Sequence, residues 1–199
     1  IRRQRQMCIR DRSGAFALRL KDIGCYVEVI ELYRDSFSPK DINCYGVNLN
    51  SDFSESISNK FDIITSIEVI EHLENPRHFL RECYKLLNPD GKLLITTPII
   101  ESIPGRLRFL LKGNFRFFDD DPLMNEPTHI TPIQSYMFNK AISDTGFSIV
   151  THKVYPEKSF MNSRKVVSFL SKFIAPFLQG IRWGDRHIFL LEKNSNNGI

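Results

Sequence analysis

Glu68, Glu71 and His72 fall within about one turn of chain in the run Ser66-Ile-Glu-Val-Ile-Glu-His-Leu73, directly after an apolar, strand-like stretch. Two carboxylates and an imidazole at that spacing can converge on one point. They could take a proton from a nucleophile, because an imidazole titrates near neutrality and gains basicity beside carboxylates. They could equally hold a divalent ion through two oxygens and one nitrogen. A capped helix start, with Glu favouring the positive helix end, accounts for the same residues without chemistry. Glu31 closes the strand-like run Val27-Glu-Val-Ile-Glu31. An acid at the carboxyl end of a strand can accept both hydroxyls of a ribose, and a solvated strand end is the plainer alternative.

The elements that must position these groups alternate between strand and helix periods. Ala15 to Ile23 reads as a helix closed by Gly24. Tyr26–Leu32, Cys44–Leu49 and Phe61–Ser66 read as strands. Pro76 opens a helix with Phe79, Leu80, Cys83, Leu86 and Leu87 on one face. Asn88-Pro-Asp-Gly91 reads as a turn with Gly91 in the left-handed position, and Lys92–Thr97 as a strand covered on both faces. Pro132 to Thr145 reads as a helix ending at Gly146, and Phe147–Val154 and Arg186–Glu192 as two last strands. This alternation predicts an α/β doubly wound sheet, in which ligands bind beyond the carboxyl ends of the strands. His78, His152 and His187 have no partners at a revealing spacing and read as surface or core residues. Trp183, Phe115, Phe117 and Phe118 read as packing.

Residues 2–12, Arg-Arg-Gln-Arg-Gln-Met-Cys-Ile-Arg-Asp-Arg, match codon for codon the translation of a transposase-type sequencing-library adapter. On that reading residues 1–12 are not native, the domain proper runs over 13–193, and 194–199 form a polar tail. The stretch also distorts the charge balance. The chain is formally +4, and residues 2–12 hold five Arg against one Asp, so the remainder is neutral. Neutrality removes any global basic footprint for nucleic acid, and no nucleic-acid partner is expected. Cys25, Cys44 and Cys83 remain once Cys8 is set aside, an odd number without metal-type spacing, which predicts reduced thiols and a cytoplasmic protein. No run approaches eighteen apolar residues, so no segment is expected to span a membrane.

Phe61-Asp-Ile-Ile-Thr-Ser-Ile-Glu-Val-Ile-Glu-His-Leu-Glu-Asn-Pro76, then Phe79-Leu-Arg-Glu82, then Leu86-Leu-Asn-Pro-Asp-Gly-Lys-Leu-Leu-Ile-Thr-Thr-Pro98, resemble class I S-adenosylmethionine-dependent methyltransferases. The resemblance runs from Ser13 to about Phe147 and implies a Rossmann-like seven-stranded sheet whose last strand is antiparallel. It also implies a glycine-rich cofactor loop after the first strand. Gly14 is similar to the last glycine of that loop, and Arg12 stands where relatives usually have another. First strand and loop are expected to be largely missing, displaced by the stretch Met7–Arg12, and the chain is expected to bind the cofactor poorly. The resemblance further implies Glu31 as ribose ligand, Asn48 and Leu49 at the adenine, and Ser66, Ile67 and Glu68 lining the cofactor pocket. Glu68-Val-Ile-Glu71-His72 also resembles the Glu-x-x-Glu-His site of metal-dependent O-methyltransferases, with His129 of Glu126-Pro-Thr-His129 in a comparable place. That implies catalysis by His72, Glu71 and His129, and a candidate Mg or Mn site of Glu68, Glu71, His72 and His129.

Two apolar, basic segments, 103–118 and 165–178, follow strand ends and are expected over the substrate mouth. Val166, Val167, Phe169, Leu170, Phe173, Ile174, Phe177 and Leu178 form one helical stripe. Packing against the domain or a second subunit is the plainer role. A lid or peripheral membrane contact, meeting an amphipathic acceptor, is the sharper one. The sequence thus reads as a methyltransferase acting on oxygen of a small-molecule or glycan- or lipid-linked acceptor. A catalytically silent binding module on the same fold and a nicotinamide-dependent oxidoreductase are the alternatives.

Overall fold

The computed structural model describes residues 4–11, 13–118, 129–155, 173 and 175–194. Seven strands form one sheet: β1 (Arg5–Ile9), β2 (Tyr26–Glu31), β3 (Asn43–Gly46), β4 (Phe61–Ile67), β5 (Leu87–Pro98), β6 (Phe147–Tyr155) and β7 (Arg186–Lys193). Their order is β3-β2-β1-β4-β5-β7-β6. The ladders among β1 to β5 are parallel, and β7 runs antiparallel to both neighbours. Among the described residues four α-helices accompany them: α1 (Ala15–Asp22), α2 (Pro76–Leu86), α3 (Ile103–Lys112) and α4 (Ser135–Asp144). The doubly wound sheet and its antiparallel last strand are as expected from the sequence.

The slot of the first strand, expected to be vacant, is filled by the stretch read as adapter. Gln6 to Ile9 pair with β2 on one side and β4 on the other, and Met7, Cys8 and Ile9 are buried. The reason is chemical. A vacant slot would leave two ladders of peptide groups unpaired in the middle of the sheet, and Met-Cys-Ile is apolar enough to satisfy them while burying side chains worth roughly 1.5–3 kcal/mol for a large one. Burial between these neighbours pushes the Cys8 thiol up to about 12.

α2 follows its sequence signals. Asn75 accepts the backbone N–H of His78, Pro76 sits in the first turn, and Phe79, Leu80, Cys83 and Leu86 are buried with Phe53, Phe61 and Ile64 in the main core. The expected Asn88–Gly91 turn is instead a bulge inside β5, which starts at Leu87 opposite Phe61. The left-handed residue there is Asp90 (φ 62°), not Gly91. Gly91 is required by crowding: a Cβ would come within 2.8 Å of the Asn88 carbonyl. β3 stops at Gly46, short of Leu49, because the chain turns where Asn48 Oδ1 accepts the N–H of Asn50. α4 starts at Ser135, three residues later than expected, with Gln134 accepting the Met137 N–H.

Most of the 165–178 stripe lies outside the described residues. Phe173 and Phe177 are 71% and 81% exposed, so internal packing does not extend to them. Of the 194–199 tail only Asn194 is described. No described helix is long and apolar enough to cross a membrane.

Candidate active site

β4 delivers the chain to the carboxyl edge of the sheet, and Glu68 turns it with φ 52°. The Glu68 N–H donates to the carbonyl and the hydroxyl of Thr96, and its carboxylate accepts from Thr96 Oγ1 (3.0 Å) and Arg186 Nε (2.9 Å). Glu68 is therefore a tie between β4, β5 and β7. Its carboxylate is held by Thr96 and Arg186, and the metal-type group among the described residues is formed by Glu71, His72 and His129 without it.

A short 3₁₀ turn, Ile70–His72, carries Glu71 and His72 inward. Glu71 is fully buried, and Thr97 Oγ1 donates to its Oε2 (3.1 Å). The backbone carbonyl of Glu71 accepts the N–H groups of Ile130 and Thr131, both at 3.0 Å, while the Thr131 hydroxyl donates to the Leu73 carbonyl. These bonds strap the segment before α4 onto the turn and bring His129 to Glu71. His129 Nε2 lies 3.9 Å from Glu71 Oε1, which has no hydrogen-bond partner among the described residues. His129 Nδ1 lies 2.8 Å from the Phe117 carbonyl, which can only accept, so Nδ1 carries the hydrogen and Nε2 keeps its lone pair. The rings of His72 and His129 meet edge to face at 4.6 Å.

Burial sets the electrostatics. Glu71 is raised to about 7, chiefly by desolvation and also by Glu68. His129 is lowered from its usual value, chiefly by desolvation. A neutral imidazole beside a carboxyl poised near neutrality is an arrangement that can remove a proton and pass it on. Glu71, His72 and His129 also bring one ligand atom each to within 4.8 Å of one another. A similar triplet of Asp52, His78 and Glu82 is already occupied: Glu82 accepts from the Ser54 N–H and Lys85, and His78 Nε2 donates to the Ser51 carbonyl.

The expected cofactor residues fall at the same edge but do not all converge. A cavity of about 210 Å³ opens between the ends of β1 and β4, lined by Cys8, Ile9, Arg10, Asp11, Phe16, Thr65 and Ile67. Ile67 alone of the expected set lines it. Gly14 stands at the start of α1 with φ 74°, and a Cβ there would meet Pro39 at 2.4 Å. Asp11 accepts the N–H groups of Phe16 and Ala17 and so caps α1. Glu31 is buried at the end of β2, opposite Gly46 in register. Asn48 is exposed and committed to its own turn, and Leu49 packs against the core. Ser66 is fully buried, and its Oγ has no hydrogen-bond partner among the described residues. Arg12 lies outside the described residues.

Sequence reasoning missed Thr97, Arg186 and the Phe117 carbonyl. It also missed a histidine pair: His152 Nε2 meets His187 Nδ1 at 2.9 Å, and His187 Nε2 lies 3.4 Å from Ser135 Oγ. His187 is fully buried, and desolvation followed by His152 lowers it to about 4. The core reading was right for this residue, but the partner was not visible.

The sheet order, the site at its carboxyl edge and the acidic residue closing β2 together define a class I methyltransferase fold. A family model for the methyltransferase domain matches residues 12–152. The chain belongs to that family, whose class I members use S-adenosylmethionine. The mitochondrial ubiquinone biosynthesis O-methyltransferase of Saccharomyces cerevisiae is 34% identical over 80 residues, 37% of this chain and 26% of that protein. The Pseudomonas aeruginosa ubiquinone biosynthesis O-methyltransferase is 20% identical over 114 residues, 45% of this chain and 48% of the relative. The chain thus spans half or less of the length of these curated relatives. Among solved structures, a methyltransferase from Archaeoglobus fulgidus superposes with a TM-score of 0.66 at 16% identity, over 96% of this chain and 86% of that one.

Proposed function

We propose that this chain is an S-adenosylmethionine-dependent methyltransferase acting on an oxygen, with His129 as the proton acceptor and Glu71 as its partner. The observation that carries this is the His129 tautomer: Nδ1–H is fixed by the Phe117 carbonyl, and the Nε2 lone pair faces Glu71. An acceptor hydroxyl placed at Nε2 would lose its proton to His129 as its oxygen takes the methyl group. Glu71, once ionised, would stabilise the imidazolium so formed. The cofactor supplies a transferable methyl on a sulfonium. Glu31 suits the ribose hydroxyls, Ser66 offers a buried hydroxyl, and Ile67 offers apolar surface, so the donor set fits except at the loop after β1. The O-methyltransferase names of the curated relatives support oxygen over nitrogen or carbon. The neutral body of the chain and its free, mostly buried thiols support a cytosolic enzyme without a nucleic-acid partner.

A specific observation favours a second reading of the same site. One carboxylate oxygen and two imidazole nitrogens within 4.8 Å suit a borderline divalent ion, which would acidify an acceptor hydroxyl. Incubation with methyl-labelled S-adenosylmethionine and acceptors offering a hydroxyl, an amine or an acidic carbon separates the cases. Label is expected on the hydroxyl acceptor. Loss with a chelator and recovery with Mg²⁺ or Mn²⁺ would establish the metal reading, and label on the amine alone would refute the oxygen assignment.

The acceptor is proposed to be amphipathic and met at a membrane surface. α3 leaves Phe109, Leu110 and Leu111 exposed beside Lys112. The double substitution Leu110→Asp with Leu111→Asp should keep the melting temperature and abolish sedimentation with anionic vesicles; unchanged sedimentation would exclude this face.

A further inference from the structure

His129 takes its tautomer from a backbone carbonyl, so whatever holds that carbonyl also holds the ring. The Phe115 carbonyl accepts the Phe118 N–H at 3.3 Å and closes a four-residue turn in which Phe117 stands third. Phe117 adopts φ 71°, a conformation that such turns normally give to Gly or Asn. A residue with a large side chain persists there only where its surroundings over-determine it. Here they act from two sides. Toward α3, Phe115 stacks on Phe109 at 4.8 Å, and Phe118 meets His129 at 5.4 Å. Toward the sheet, the Arg116 guanidinium lies 4.4 Å from the centre of the Phe117 ring. The same guanidinium donates to Asp185 Oδ1 at 2.8 Å, with the two side chains only 12% and 16% exposed.

Asp185 is the fixed end of that pair. Its N–H donates to the Tyr155 carbonyl at 3.1 Å, and its carbonyl accepts the Ile99 N–H at 2.9 Å. It thereby joins the ends of β5 and β6 to the start of β7. The next residue, Arg186, holds Glu68 just ahead of the turn that carries Glu71 and His72. Two adjacent residues at the entry to β7 thus reach both segments that meet where His129 faces Glu71. We infer that the Arg116–Asp185 ion pair is a positioning device. It holds the strained turn at Phe117, and through the Phe117 carbonyl it sets the orientation and tautomer of His129. A pair so little exposed is weakly screened, and breaking it leaves one charge without its partner, so the turn feels the loss. The consequence for turnover rests on the role proposed above for His129; the consequence for the ring does not.

Nitrogen NMR of the full chain with isotopically labelled histidine rings tests it, because protonated and lone-pair-bearing ring nitrogens differ widely in chemical shift. The spectrum of His129→Gln identifies the His129 signals, and circular dichroism confirms that each variant is folded. Above neutral pH the wild type should show the proton on Nδ1 and the lone pair on Nε2 of His129. Arg116→Met keeps an apolar stem and removes the charge, so the ring should exchange between both tautomers. Turnover should then fall roughly ten- to a hundredfold, the scale of a small misplacement of a reacting group. Asp185→Asn keeps the shape and the backbone bonds, and should act in the same direction more weakly. Adding Phe117→Gly to Arg116→Met removes the strain and should return the ring to the Nδ1–H form. A wild-type tautomer in Arg116→Met would overturn the inference and leave the reading of His129 in place. A double variant as mixed as Arg116→Met alone would overturn it too, since the pair would then not be holding a strained turn. A shifted tautomer with undiminished turnover would instead remove His129 from the mechanism, and the positioning of its ring would stand.

Discussion

Replacing His129 with Ala should lower turnover by about a hundredfold or more while leaving cofactor affinity within a factor of about two. His129 stands apart from the cavity lined by Arg10 and Ile67, so its loss removes no surface from that cavity. It does remove an imidazole whose tautomer is fixed by the Phe117 carbonyl and whose Nε2 lies 3.9 Å from the buried Glu71 carboxyl. His72 lies edge-on to the same ring, and its removal would loosen His129 without deleting the acceptor. His72→Ala is accordingly expected to cost less than His129→Ala. Single-turnover measurement at saturating donor separates the chemical step from binding. Turnover unchanged in His129→Ala would take this residue out of the mechanism and leave His72 as the candidate base.

The parts of this site that were legible in the sequence are the local ones. Glu71 and His72 lie within five residues of the end of β4, and a strand followed by a turn places them at the carboxyl edge whatever the rest of the chain does. Glu31 is legible for the same reason. Partners that come from distant strands were not. Thr97 bonds Glu71 because β5 and β4 run parallel in a register that pairs Ile67 with Thr96, and a slip of one residue would turn Thr97 to the other face. Arg186 reaches Glu68 across 118 positions, and His187 meets His152 through the β6–β7 ladder; neither spacing leaves a local pattern. The Phe117 carbonyl was invisible for a different reason, since every residue has one.

The first strand misled in the opposite direction. Its residues match an adapter, so the slot was expected to be empty, yet Gln-Met-Cys-Ile has the polarity of a central strand and takes that place. Secondary structure asks only for suitable side chains. The loop that follows asks for a left-handed residue without a side chain, and Arg10 is where that demand is unmet. The asymmetry separates fold from function in this chain: a strand tolerates many sequences, whereas a loop that backs onto a ligand tolerates few.

Glu71→Gln should stabilise the protein above neutral pH and not below pH 4.5. The Glu71 carboxyl is raised from 4.5 to about 7, chiefly by burial, so the folded state holds a proton that the unfolded chain releases between those values. Where the native state binds more protons, stability falls as pH rises. The contribution is therefore fully present below about 4.5 and is lost as pH passes through about 7. With a full shift of that size the loss is on the order of 3 kcal/mol at pH 8. Gln has the same shape, keeps an oxygen for the Thr97 hydroxyl and carries no charge, so it escapes the loss. Urea denaturation of both proteins from pH 4 to 8 gives the difference directly, and the titrations of other groups cancel in it. The stability of Glu71→Gln relative to wild type should rise across this window and level off above it. The same substitution should lower turnover above pH 7, because the ionised carboxylate that would steady the His129 imidazolium is gone. Stability gained and turnover lost over one pH range would mark Glu71 as a residue kept for chemistry at the expense of the fold. A flat difference in stability from pH 4 to 8 would mean that Glu71 is ionised throughout, and the proton-sharing pair with His129 would have to be abandoned.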